Sequence, residues 1–154
     1  MMIDDELVII VTEDDEGHAL LITKNLRRAG IKNEILHFRH GQEVLDFLLQ
    51  KGDGPHRTKN TPYLLLLDIQ MPNVDGIEVL RQIKQHGELR KIPTIMVTTT
   101  DDPQEIEKCY EIGCNVYITK PVSYDKFIEA IKRLGLFIMV VEVPKIYGEI
   151  KDGS

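Results

Sequence analysis

Short apolar runs alternate with amphipathic stretches five times along the chain. The apolar runs have the length of strands, and the amphipathic stretches repeat their apolar residues every three to four positions, as a helix with one buried face does. The predicted strands cover residues 7–11, 34–38, 63–67, 94–98 and 116–118, of which the second has the weakest pattern. The apolar faces of the predicted helices cover residues 19–29, 44–49, 77–83, 106–110 and 127–134.

Polar residues mark several of the predicted helix boundaries. Asp102 supplies a capping carboxylate, Pro103 suits the first helical position, and Glu105 lies where a capping box needs an acidic side chain. Ser123 can cap the last helix in the same way, and Gly30 closes the first. Together with the alternating apolar pattern, these boundaries predict five consecutive strand–helix units.

This alternation predicts an α/β fold with a doubly wound, mostly parallel sheet. Strands joined through helices run parallel, and both faces of such a sheet need helices to cover them. The run of apolar residues at 63–67 has no polar interruption, as expected of a central strand that is buried on both faces. Ligands of such folds bind at the carboxyl edge of the strands.

Composition narrows the class of protein. The 154 residues suffice for one domain with a core, and a net charge of −6 disfavours direct binding to nucleic acid. The longest apolar run, residues 135–141, is too short to cross a membrane. The acidic start lacks the features of a secretory signal, so we expect a cytoplasmic protein in which Cys109 and Cys114 are free structural thiols.

Polar residues lie at or shortly after the carboxyl ends of four of the five predicted strands. They are Glu13, Asp14 and Asp15 after the first strand, Asp68 after the third, Thr98 at the end of the fourth and Lys120 after the fifth. Acidic groups from two neighbouring strands would repel one another unless a hard cation joined them, and carboxylate oxygens suit Mg²⁺. The sequence therefore predicts a magnesium site at this edge.

The same residues suit phosphoryl transfer. A carboxylate beside the cation can attack phosphorus, while a hydroxyl and an ammonium neutralise the phosphoryl oxygens. Asp68, Thr98 and Lys120 fit these three roles. Each also has an ordinary alternative as a turn residue, a strand-end hydroxyl or a solvated lysine, and Asp14 and Asp15 can simply cap a helix. Their joint occurrence at one edge favours the functional interpretation.

These residues lie in motifs that resemble the response-regulator receiver family over residues 7–135. The motifs are Glu13-Asp14, Asp68-Ile69-Gln70-Met71-Pro72-Asn73-Val74-Asp75-Gly76, Val97-Thr98 and Tyr117-Ile118-Thr119-Lys120-Pro121. The resemblance implies the flavodoxin-like (βα)5 fold with strand order 2-1-3-4-5. It also implies a protein that is not an enzyme beyond self-dephosphorylation, and that signals through protein contacts after a histidine kinase phosphorylates it.

The resemblance further implies a role for each site residue. Asp68 is phosphorylated and binds Mg²⁺ together with Asp14 and the backbone carbonyl of Gln70, Glu13 acts through a coordinated water, Thr98 and Lys120 contact the phosphoryl group, and Tyr117 changes rotamer as the switch. Relatives often have a cis peptide at the position of Lys120–Pro121, and the sequence leaves this isomer open. Gln70 and Thr100 occupy positions that influence the lifetime of the phosphorylated state.

Other functions fit the sequence less well. An aspartate-nucleophile phosphohydrolase would have a second aspartate two residues after Asp68, where this chain has Gln70. A nucleotide or flavin module would need a phosphate-binding first loop rather than an acidic one. A phosphorelay shuttle without its own output remains an alternative. The histidines show no metal-like spacing, so surface and loop positions are the expectation for His18, His37, His40, His56 and His86.

Residues 136–154 form an apolar extension beyond the expected receiver domain, residues 1–135. The stretch 135–144 is too apolar for a free tail in water. It can continue the last helix or add an edge strand on its own domain, or it can form a dimer or partner interface. The extension resembles single-domain receivers that work with phytochrome-type histidine kinases and tend to form dimers.

Overall fold

The computed structural model describes residues 5–148. The strands are β1 (Val8–Thr12), β2 (Ile35–Phe38), β3 (Thr61–Leu67), β4 (Thr94–Thr98), β5 (Val116–Thr119) and β6 (Lys145–Ile146). The helices are α1 (Glu16–Arg28), α2 (Gly41–Leu49), α3 (Gly76–Gln85), α4 (Pro103–Ile112) and α5 (Tyr124–Val140). All five predicted strand–helix units are therefore confirmed.

Five strands form a parallel sheet in the order β2-β1-β3-β4-β5, as predicted. Because side chains alternate across a strand, β3 contributes Leu65 and Leu67 to one face and Leu64 and Leu66 to the other. The first face packs against apolar residues of α2, α3 and α4, and the second packs against those of α1 and α5. Two cores, one on each face of the sheet, thus hold the strands in place with their carboxyl ends at one edge.

Side-chain caps start the helices that follow the strands. The backbone N–H of His18 donates to Asp15 Oδ1 at the start of α1. Asp75, Asp102 and Ser123 accept comparable bonds at the starts of α3, α4 and α5. Each cap satisfies a backbone donor that has no partner inside its helix. The predicted caps at residues 102 and 123 are therefore confirmed.

Part of the apolar extension packs on the domain that precedes it, and Ile138 and Ile146 are its fully buried residues within 136–148. The division at residue 135 falls inside α5, because that helix continues to Val140. After α5 the chain turns back, and β6 pairs antiparallel with the start of β3. Ile146 is fully buried there, and its carbonyl accepts from Asn60 N at 2.9 Å. Residues 149–154 of the predicted extension lie outside the described residues.

Two further expectations concern membranes and thiols. Between residues 5 and 148, none of the helices is long and apolar enough to span a bilayer. Cys109 and Cys114 are free and buried, as predicted. Burial raises the pKa of the Cys109 thiol to about 11, so the reactive thiolate form is rare near neutral pH.

Candidate functional site

The fold brings the predicted polar residues together at the carboxyl edge of the sheet. Asp68 follows β3, and its backbone N–H donates to the carbonyl of Thr12 on β1 at 3.1 Å. Lys120 follows β5, and its backbone N–H donates to the carbonyl of Thr98 on β4 at 2.6 Å. Glu13, Asp68, Thr98 and Lys120 are all buried, and Asp14 is half-buried. Burial of so many charged groups in one place requires that they be paired.

The Lys120 ammonium supplies this pairing. It donates to Glu13 Oε1 at 2.5 Å and to Asp68 Oδ2 at 3.2 Å. Its third contact is with His18 Nδ1 at 3.0 Å. An ammonium has three N–H donors, so these three acceptors use its full capacity. Lys120 therefore joins residues that follow β1 and β3 with the first turn of α1.

Three carboxylates form a group with the dimensions of a cation site. Glu13, Asp14 and Asp68 each offer an oxygen within 4.8 Å of the others. Burial raises the pKa of Glu13 to about 8. The hydrogen bond from Lys120 lowers this pKa, whereas the negative charge of Asp68 raises it further. A divalent cation would relieve this repulsion by neutralising the group, and hard cations prefer oxygen ligands. The acidic group thus fits a divalent metal.

Asp15 lies outside this group. Its side chain caps α1, and the backbone bond from His18 holds the pKa of the Asp15 carboxyl below its usual range. Its backbone N–H donates to Glu13 Oε2 at 3.2 Å, which orients that carboxylate. The two neighbouring aspartates therefore have different tasks, one at the start of the helix and one in the acidic group.

Gly76 allows α3 to approach the backbone of Asp68. A Cβ atom at residue 76 would lie 2.0 Å from the carbonyl oxygen of Asp68, a distance that no side chain tolerates. The Gly76 N–H instead donates to the carbonyl of Ile69 at 2.9 Å. Asn73 closes the preceding turn in a left-handed conformation with φ 67°. The Pro72 to Gly76 segment thus fixes the position of Asp68.

Thr98 presents a buried hydroxyl at the end of β4. Its side-chain oxygen has no hydrogen-bond partner among residues 5–148. An unsatisfied buried hydroxyl is costly, and a ligand that accepts a hydrogen bond would relieve this cost. A phosphoryl oxygen is such an acceptor, so the residue suits an anionic ligand that binds beside Asp68 and Lys120.

Gln70 connects the loop after β3 with the loop after β4. Its side-chain oxygen accepts from Thr99 Oγ1 at 3.0 Å, and its amide donates to Thr100 Oγ1 at 3.3 Å. The Tyr117 hydroxyl donates to the carbonyl of Thr100 at 2.7 Å. Thr100 is therefore held through its side chain from one side and through its backbone from the other.

The whole arrangement occurs on a chain whose residues 9–132 match the family model described as the response regulator receiver domain. The chain belongs to this family. It is a receiver of two-component signalling, as the motifs indicated. The sheet order, the acidic group and the lysine after β5 all agree with that membership.

Relatives and solved structures extend this result. The receiver is 36% identical over 137 residues to the "Probable methanogenesis regulatory protein FilR2" of Methanothrix harundinacea, a match that covers 86% of each chain. It is 34% identical over 113 residues to the response regulator Rcp1 of Synechocystis sp., covering 73% of this chain and 76% of Rcp1. Both similarities span most of each protein.

Three crystal structures share the fold. A receiver domain from Rhodospirillum rubrum is 45% identical, with a TM-score of 0.86 over 92% of this chain and 99% of the other. The Mn²⁺-bound form of Rcp1 is 30% identical, with a TM-score of 0.80 over 89% and 98%. The phosphorylated cyanobacterial phytochrome response regulator RcpA is 28% identical, with a TM-score of 0.80 over 89% and 97%.

Two features of the receiver were not determined by its sequence: the isomer of the Lys120–Pro121 bond and the contact that His18 makes. Among the described residues no peptide bond is cis, so Lys120–Pro121 is trans. His18 contacts Lys120 inside the site, although a surface position was the expectation for every histidine. His18 reaches Lys120 because it lies in the first turn of a helix that starts at the functional edge. Nothing in the local pattern identifies its partner.

Proposed function

We propose that Asp68 is the phosphoacceptor of this receiver and that its phosphorylation by a histidine kinase is the signal. The observation that carries the proposal is the position of its carboxylate, 3.2 Å from the Lys120 ammonium and within the group formed with Glu13 and Asp14. A nucleophilic carboxylate needs an adjacent cationic environment to accept a second anionic group.

The reaction is a displacement at phosphorus. An oxygen of the ionised Asp68 attacks the phosphorus of a phosphohistidine, so that an O–P bond forms while the P–N bond breaks. The electron pair of the broken bond returns to the imidazole of the kinase, which takes up a proton from water. The Lys120 ammonium and the Thr98 hydroxyl donate to the phosphoryl oxygens as charge develops on them.

The cofactor of this proposal is Mg²⁺. Asp14, Asp68 and the backbone carbonyl of Gln70 would hold it directly, and Glu13 would do so through a water. When bound, the ion neutralises the carboxylates and the phosphoryl oxygens that approach them. The acidic group supports the proposal, and so does the similarity to the Mn²⁺-bound form of Rcp1, since both ions prefer oxygen ligands.

The proposed output is a change at Thr98 and Tyr117. When Thr98 bonds to the phosphoryl group, the loop that contains Thr100 moves with it. Tyr117 follows, because its hydroxyl donates to the Thr100 carbonyl. This connects a charge change at Asp68 with the surface formed by α4, β5 and α5. A downstream protein would bind this surface, and the receiver would act in the cytoplasm.

The kinase is proposed to be of the phytochrome type. The support is the similarity to RcpA, which is a cyanobacterial phytochrome response regulator. The similarity covers 97% of RcpA. Phosphotransfer from purified candidate kinases, compared at short reaction times, would test this pairing. A phytochrome-type kinase should transfer fastest.

The proposed assembly is a homodimer through α5. Leu136 and Val140 are 62% and 57% exposed on the last turns of this helix, and Phe137 lines a groove with Ile118 of the edge strand β5. A second copy would bury this apolar surface. Light scattering of a Leu136→Glu, Val140→Glu variant should give a monomer, and Lys132→Glu on the same helix should stay dimeric. A monomeric wild type would refute the assembly.

Intact mass spectrometry tests the phosphoacceptor proposal. Incubation with Mg²⁺ and acetyl phosphate should add one phosphoryl group to the wild type. The same treatment should leave Asp68→Asn unmodified, while the matched variant Asp75→Asn at the α3 cap should react. Addition of a chelator should stop the reaction. Modification that persists in Asp68→Asn would refute the assignment.

A further inference from the structure

His18 approaches the proposed phosphoryl site from α1. Its Nδ1 lies 3.0 Å from Lys120 Nζ, although 102 residues separate the two in the chain. The imidazole packs on Phe127 of α5 with ring centroids 5.7 Å apart and an angle of 69° between the planes. Its Nδ1 is also 3.9 Å from Asp15 Oδ2. The ring is therefore held by contacts with α5 and with its own helix.

The chemistry of the pair fixes the tautomer of His18. An ammonium has donors and no acceptor, so Nδ1 must accept the hydrogen bond from Lys120. The ring is then neutral and carries its hydrogen on Nε2. This assignment differs from an ion pair, because a neutral nitrogen orients the ammonium without cancelling its charge.

The other two acceptors of Lys120 have competing tasks. Glu13 and Asp68 belong to the group that fits a divalent cation, and Asp68 is the proposed nucleophile. His18 is the acceptor that has neither task. When the two carboxylates bind the cation, they release two N–H donors of Lys120. His18 keeps the ammonium beside Asp68, and the released donors can then bond to phosphoryl oxygens.

We propose that His18 is a positioning residue that holds the Lys120 ammonium for phosphoryl transfer to Asp68. This inference rests on the proposed function, since Lys120 must contact the phosphoryl group for its position to affect the rate. His18 acts through Lys120 and does not contact the reacting atoms in this proposal.

Two substitutions separate the acceptor from the packing of the ring. His18→Phe keeps an aromatic side chain next to Phe127 but removes the acceptor. His18→Asn restores an acceptor, because the Asn side-chain oxygen lies near the position of Nδ1. With Mg²⁺ and acetyl phosphate, we expect phosphorylation of His18→Phe to be about tenfold slower, since a hydrogen bond to a charged group is lost. His18→Asn should recover to within about threefold of the wild type.

The other outcomes of this experiment decide whether the proposal holds. Equal rates for His18→Phe and the wild type would overturn the proposal, and so would a His18→Asn variant as slow as His18→Phe. His56→Phe, at an exposed loop position, is the matched control and should react at the wild-type rate. Thermal melts establish that each variant is folded. A wild type that is not phosphorylated at all would instead refute the proposed function of Asp68.

A spectroscopic measurement tests the contact without phosphorylation. Long-range ¹H–¹⁵N spectra of the imidazole in metal-free protein should show His18 as the neutral tautomer with its hydrogen on Nε2. The Nδ1 shift should change in Lys120→Met, which lacks the donor. A hydrogen on Nδ1 in the wild type, or a shift that is unchanged in Lys120→Met, would overturn the proposed hydrogen bond.

Discussion

The Lys120 ammonium lies 2.5 Å from Glu13 Oε1, which joins the loop after β5 to the loop after β1 across 107 residues of sequence. Both side chains are almost completely buried. The same ammonium reaches Asp68, so it shares two of the three carboxylates that fit a cation. Lys120 and a divalent cation are therefore electrostatic competitors for one acidic group.

This competition predicts tighter metal binding when the ammonium is removed. Lys120→Met should bind Mg²⁺ several-fold more tightly than the wild type, because no fixed positive charge then opposes the ion. Isothermal titration calorimetry measures the affinity. Lys126→Met, at an exposed position of α5, is the control and should leave the affinity unchanged. Weaker binding by Lys120→Met would mean that the lysine supports the metal site rather than opposing it.

The close approach of Gly76 to Asp68 predicts a large loss of stability on substitution. In Gly76→Ala the new Cβ would meet the Asp68 carbonyl at 2.0 Å, so the backbone at the site must move. We expect the free energy of unfolding to fall by about 3 kcal/mol. Urea denaturation checks this value. Gly87→Ala has open space around the new Cβ and should change stability by less than about 0.5 kcal/mol.

The bond from Tyr117 to Thr100 predicts a coupling between two loops. Tyr117→Phe removes a donor to the Thr100 carbonyl and should cost about 1 kcal/mol of unfolding free energy. NMR shifts of Thr98 to Thr100 should then respond less to beryllium fluoride with Mg²⁺, which mimics the phosphoryl group. Tyr124→Phe, at an exposed position, is the control. An undiminished response in Tyr117→Phe would argue against the proposed switch.

The burial of Ile146 predicts that β6 stabilises the domain. Ile146 is fully buried beside the start of β3, so Ile146→Ala should lower the unfolding free energy by about 2–4 kcal/mol. Its neighbour Lys145 is exposed and pairs with Glu6 at the surface, so Lys145→Ala should cost less than about 1 kcal/mol. Equal, small effects of the two substitutions would show that β6 contributes little to the fold.

Local pattern predicted the fold because each strand–helix unit carries its own signal. The apolar run of β3 and the cap at Asp102 are both visible within a few residues. The polar residues of the site could also be predicted, since the residues that follow parallel strands all lie at one edge of the sheet. Asp68 and Lys120 therefore meet, although 52 residues separate them.

Contacts that depend on packing between distant elements could not be predicted from the sequence. Nothing in the apolar stretch 135–144 indicates whether it packs on its own domain or on another chain, because either arrangement would remove its apolar side chains from water. The structure answers this for Ile138 of the stretch, which is fully buried in the core of its own domain. The contact of His18 with Lys120 likewise depends on how α1 packs against α5, which a single helical period does not specify.

The central claim is that the phosphoryl group resides on Asp68. Borohydride reduces an acyl phosphate to an alcohol, so treatment of the phosphorylated protein converts the modified aspartate into homoserine. Tandem mass spectrometry of the peptides then locates the change. We predict homoserine at position 68, and no reduction at that position when Mg²⁺ is omitted. Homoserine at position 14, a reduced glutamate at position 13, or no reduced residue in phosphorylated protein would contradict the claim.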